Sequence, residues 1–163
     1  MAWKRTVLVL ANVTATSDEL LAELEARAQR ESVGFTLVVP ATSFGGGRVA
    51  AEAQLVDALE RLRAAGLDVD GAVGNPDPVV AVIDVWNPRS YDEIIVSTLP
   101  MTLSKWLHAG LPERIAKLTG APVTHLVSQP PRPEAQSTPA RGREDRSVMG
   151  PLSVLAWGAA KSQ

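Results

Sequence analysis

A three-layer α/β sandwich around a five-stranded parallel sheet, followed by a C-terminal extension, is the fold class the sequence predicts. Three observations carry it. Apolar, β-branched runs alternate with stretches of helical periodicity over residues 1–128. The first run, Val7-Leu-Val-Leu-Ala11, is continuous, as a strand buried on both faces requires. Parallel neighbours need a crossover between them, and each helical stretch supplies one.

The elements follow in order. Residues 6–11 form the first strand. Residues 16–30 read as a helix, because Thr16 and Glu19 have capping-box spacing and Leu20, Leu21, Leu24 and Ala28 make one apolar stripe. Phe35-Thr-Leu-Val-Val39 is a second strand, stopped by Pro40. After a loop at 41–47, a helix spans 48–65 on the stripe Leu55, Leu59 and Leu62, with Gly66 at its left-handed end. Residues 67–73 form a third strand, more polar and therefore nearer an edge. In the turn Gly74-Asn75-Pro76-Asp77-Pro78, either Asn75 or Asp77 can cap the helix at 79–86, with a proline at its first position. Glu93-Ile-Ile-Val-Ser97 is a fourth strand, and a short helix at 103–108 follows. A further helix at 111–118 ends at Gly120, and Val123-Thr-His-Leu-Val127 is the fifth strand.

Residues 128–163 differ in kind, with five of the twelve prolines and a net charge of +2 against −4 for the remainder. Residues 129–147 read as a flexible Pro/Arg-rich linker. Residues 148–163 carry Leu152, Val154, Leu155 and Trp157, an apolar run expected to dock.

Composition narrows the function. With no cysteine and only His108 and His125, disulfides, thiolate zinc sites and cysteine nucleophiles are excluded, and histidine metal clusters are disfavoured. A net charge of −2 argues against a nucleic-acid partner. No run approaches the ~18 apolar residues of a membrane span. The opening apolar run stops at Asn12, short of a secretory core, so a cytoplasmic location with no membrane partner is expected.

The order of elements over residues 7–127 resembles the universal stress protein family, whose members have a Rossmann-like sandwich with strand order 3-2-1-4-5. Gly74-Asn75-Pro76 looks like the family's Gly-Asp-Pro turn, and Asp92-Glu-Ile-Ile-Val-Ser97 like its fourth strand. Glu113-Arg114-Ile115 and Ala121-Pro122-Val123 look like its run into the last strand, and Asn12 stands where the family usually has Asp. ATP-binding members carry Gly, two residues, Gly, nine residues, then Gly-Ser or Gly-Thr, so that backbone N–H groups and a hydroxyl close on phosphates. This chain keeps the spacing with Ser97, Pro100 and Gly110-Leu111. Proline at 100 removes an N–H, and Leu111 removes the hydroxyl.

The resemblance therefore implies a stress-response binding or regulatory module with a degenerate nucleotide site. It also implies a homodimer paired through the last strand. The alternatives are an ATP- or AMP-binding member contacting phosphate through Ser97, Thr98 and Lys105, and a nucleotide-processing enzyme of the related hydrolase-like group.

Ligands of parallel sheets gather at the carboxyl ends of strands, where the strand order reverses. Those ends offer Asn12 and Val13, Pro40, and Ser97, Thr98 and Pro100 as ligand-contacting candidates, with Gly110 and Leu111 from the motif. Asn12 suits an adenine or ribose, or else satisfies its own loop. Ser97, Thr98 and Thr102, with Lys105, suit an anion, or else cap the helix beginning near Ser104. Ser43-Phe-Gly-Gly-Gly47-Arg48 is either an anion nest or a connector. His125 reads as a packed or edge histidine, and Asp68, Asp70 and Asp77 lack metal-ligand spacing. No triad, paired carboxylates or P-loop is present, so no catalytic or metal residue is assigned.

Overall fold

The computed structural model describes residues 3–42, 46–101 and 103–129. The expectations for residues 43–45, for Thr102 and for residues 130–163, including most of the linker and the terminal apolar run, lie outside them. Five strands are described: β1 (Arg5–Leu10), β2 (Val33–Pro40), β3 (Val69–Gly74), β4 (Glu93–Thr98) and β5 (Val123–Val127). They alternate with helices α1 (Asp18–Arg30), α2 (Gly47–Ala64), α3 (Pro78–Val85), α4 (Lys105–His108) and α5 (Leu111–Thr119). A 3-10 turn, Val13–Thr16, separates β1 from α1.

All pairings are parallel and the order is β3-β2-β1-β4-β5, as expected. β1 is central, with Val9 opposite Leu37 on one side and Ile95 on the other. Successive strand residues point to opposite faces, which explains the unbroken apolar runs. Val7, Val9, Leu37 and Ile95 pack with Leu20 and Leu24 of α1 and Ala58 and Leu62 of α2. Leu8, Leu10, Ile94 and Val96 pack with Val82 of α3 and Leu111 and Ile115 of α5. Each fully buried Leu or Ile contributes about 1.5–3 kcal/mol, so two cores of this kind dominate the stability.

Several local expectations change. The cap of α1 is Ser17, whose Oγ accepts from Leu20 N–H at 3.1 Å, and Thr16 belongs to the preceding 3-10 turn. Glu19 does not close a capping box; its Oε1 accepts from the N–H of Gln129 instead. Ala28 is exposed, while Ala51 and Ala58, outside the expected stripe, are the buried contacts of α2 together with Leu62. Asp77 rather than Asn75 caps α3, accepting from Val79 N–H at 2.9 Å, with Pro78 first in the helix. β3 is indeed an edge strand, and Gly74 at its end lets α3 approach, since a Cβ there would lie 2.7 Å from that of Ala81. No helix among the described residues is long and apolar enough to cross a membrane.

The cap assignment is checked by two substitutions. Ser17→Ala should lower the unfolding free energy by about 1–2 kcal/mol, and Thr16→Ala by less than about 0.5 kcal/mol, in urea titrations.

Candidate functional site

Each parallel strand feeds a loop at its carboxyl end. Because β1 leads to one side of the sheet and β4 to the other, the loops following them diverge and leave a crevice. A cavity of about 230 Å³ occupies that position. Asn12, Val13 and Thr14 line it from the end of β1, and Ser97, Thr98 and Leu99 from the end of β4. Leu103, Ser104, Lys105 and Trp106 close it from α4 and the turn before it. Val13 and Leu103 are 44% and 56% exposed, giving the mouth an apolar rim.

Most hydroxyls in the cavity wall are committed to the protein itself. Ser97 Oγ donates to Thr14 Oγ1 at 2.9 Å, and Thr14 Oγ1 donates to the Ser97 carbonyl at 3.1 Å. Ser17 Oγ donates to Ser128 Oγ at 3.0 Å, which lies 3.3 Å from Ser97 Oγ. With Ser17 and Ser97 donating elsewhere, Ser128 is left to donate to Ser97. These four buried hydroxyls form a directed chain joining α1, β4, the 3-10 turn and the residue after β5. Such groups are tolerated inside a protein because each finds a partner. Thr98 Oγ1 is 2.8 Å from Nε2 of His125, an exposed histidine on edge strand β5. Neither Ser97 nor Thr98 caps α4; Ser104 does, accepting from Leu107 N–H at 3.2 Å.

Asn12 satisfies its own loop, the second of its expected roles, and also lines the cavity. Its Nδ2 donates to Thr42 Oγ1 at 3.0 Å, and its carbonyl accepts from Ala15 N–H and Gln54 Nε2, so it fixes the loops after β1 and β2 while lining the cavity.

The remaining expected residues sit apart from the cavity lining. Pro40 ends β2 opposite Gly74, on the β3 side. Pro100 turns its carbonyl inward to accept from Leu103 N–H at 2.8 Å and Ser104 N–H at 3.0 Å. Gly110 adopts φ +64 between α4 and α5, and its N–H donates to the Leu107 carbonyl. Leu111 is 1% exposed and belongs to the apolar core under α3 and α5. Arg48, beside the glycine loop, pairs with Glu52 at 3.2 Å. Among the described residues no three His, Asp or Glu side chains gather as metal ligands.

Trp106 is the site residue that sequence reading missed. It is 7% exposed, and its indole N–H has no hydrogen-bond partner among the described residues. Helical periodicity gives no signal in a four-residue helix; the only cue was a large side chain with one donor beside Lys105.

No protein-family model matches the chain, and no curated protein matches it. Among solved structures, a universal stress protein in complex with cAMP superimposes with a TM-score of 0.53 at 18% identity, covering 80% of this chain and 100% of the other. The likeness establishes the architecture as that of the universal stress protein fold.

Proposed function

We propose that this chain, built on the universal stress protein fold, is a binding or regulatory module whose nucleotide site is degenerate and takes a ligand smaller than a nucleoside triphosphate. The observation that carries this reading is the switch-point cavity itself, at the place where open parallel sheets bind ligands. Its 230 Å³ falls below the roughly 300–1,000 Å³ of sites for drug-sized ligands. Where the family's ATP-binding members use glycine and a hydroxyl, this chain has a turn carbonyl at Pro100 and core packing at Leu111. The cyclic monophosphate on the similar solved protein supports an adenine nucleotide as the ligand class. A second reading, an AMP or ATP site with contacts from Ser97, Thr98 and Lys105, draws support from their presence in the cavity wall. It is weakened by the Ser97 hydroxyl, which already donates to Thr14 Oγ1.

Calorimetric titration separates the two. Under the degenerate-site reading Mg-ATP should give no saturable heat at micromolar concentration. A dissociation constant for Mg-ATP near 1 μM, about −8 kcal/mol, would overturn the degenerate-site reading.

The module is further proposed to pair through the free edge of β5. In the β4–β5 ladder Ile94 N–H donates to the Pro122 carbonyl and Ser128 N–H to the Thr98 carbonyl. The parallel alternation then turns the N–H and C=O groups of Val123, His125 and Val127 outward, where an unpaired row invites a partner strand.

A further inference from the structure

A second cavity, of about 320 Å³, lies between the start of α3, α4 and the start of α5. Lys105 and Trp106 form a wall common to it and to the switch-point cavity; Asp77, Pro78, Leu111 and Arg114 belong to it alone. We propose that this second cavity binds a small organic monoanion, a carboxylate on a flat apolar body.

Arg114 supplies the lining with a cation suited to one negative charge, and the carboxylate of Asp77 in the same lining disfavours a second. Arg114 takes part in no salt bridge among the described residues, and a guanidinium holds a carboxylate bidentately. Pro78, Leu111 and the indole of Trp106 supply the apolar surface for the body.

Trp106 adds an observation independent of charge. Its N–H is buried without an acceptor, a condition native proteins rarely tolerate unless a bound group relieves it. Trp106 lines the cavity and α4 is a single turn, so a ligand oxygen would meet this donor through a rotation of the ring. Fluctuations of single turns and side chains on this scale are routine.

The probe is sodium benzoate, followed through the indole N–H resonance of Trp106 in a nitrogen-15 spectrum and assigned by its loss in Trp106→Phe. A saturable shift of that resonance is expected at millimolar benzoate. Arg114→Gln, at an exposed position, should weaken binding about tenfold or more, as loss of a charge-assisted hydrogen bond implies. Asn12→Ala, which touches only the switch-point cavity, should leave benzoate affinity unchanged. No saturable shift up to about 10 mM benzoate (a free energy near −3 kcal/mol) overturns the proposal. So does an affinity unaffected by Arg114→Gln, or inorganic phosphate binding as well as benzoate. Loss of binding in Asn12→Ala with retention in Arg114→Gln would place the anion in the switch-point cavity and overturn it as well. Nucleotide titration is read separately, so failure of benzoate to bind leaves the proposed function standing.

Discussion

Glu93→Ala should lower the unfolding free energy by about 3–5 kcal/mol, the largest effect of any single polar substitution in the described residues. Glu93 opens β4 at the amino end of the sheet, opposite the cavity, and its side chain is 9% exposed. Arg27 reaches it from α1 at 2.5 Å, Arg5 at 3.4 Å, and Thr124 Oγ1 donates to its other oxygen at 3.3 Å. Arg27 also holds Glu23 at 2.8 Å. Burial disfavours charge on Arg27, but hydrogen bonds and attraction from Glu23 and Glu93 outweigh it and hold its pKa above the ordinary guanidinium value. A raised pKa means that the contribution of Arg27 is complete below the ordinary guanidinium range and is lost only as pH climbs beyond it. Removing Glu93 strands Arg27 in a dry setting beside one remaining carboxylate. Glu93→Leu with Arg27→Met should recover most of the loss, because replacing a buried pair by apolar groups is often neutral or better. Urea denaturation of the parent, both single variants and the double variant checks this, and additive losses in the double variant would contradict it.

Dimerisation through β5 should be abolished by Val127→Pro and left intact by Val127→Ala. The proline removes an outward N–H while leaving the inner ladder, built on residues 124, 126 and 128, in place. Proline at Thr124 would instead break the bond to β4, and its effect would report on folding rather than assembly. Light scattering at tens of micromolar, a concentration that reveals weak interfaces, should show twice the chain mass for the parent and a single chain for Val127→Pro. A parent that is monomeric at that concentration would sink the pairing.

The architecture was legible because strands buried on both faces announce themselves: Val7 to Leu10 faces α1 and α2 with alternate residues and α3 and α5 with the others. The helix stops were legible for a different reason, since Gly66 and Gly120 take φ +86 and +69, conformations that other residues adopt at a cost. The start of α1 was not. Thr16 and Ser17 are adjacent hydroxyl residues, and what separates them is the 3-10 turn Val13–Thr16, which has no periodicity to read.

The site divided along the same line. Asn12, Val13, Ser97 and Thr98 were reachable because they follow strands, and strand ends are where a parallel sheet exposes ligand contacts. Pro100, Gly110 and Leu111 were placed by family spacing, but in this chain that spacing is filled by a Pro100 turn, the one-turn α4 and a left-handed glycine, which carry Leu111 into the core. The hydroxyl chain of Thr14, Ser17, Ser97 and Ser128 was invisible because its members come from four separate segments, with no local pattern linking them.

The position of β1 at the centre of the sheet bears on synthesis as well as on the finished fold. β2 ends at Pro40, but β4, which covers the other side of β1, is complete only at Thr98. A ribosome adding about 5–20 residues per second needs roughly 3–12 s to cover that interval. Through it, the central strand has a partner on one side and an open row of N–H and C=O groups on the other. Non-local parallel pairing of this kind is slow and exposes the nascent chain to association. The yield of soluble protein should therefore depend on how quickly residues 41–98 emerge: slow codons there should favour aggregation, and the same codons after residue 127 should not.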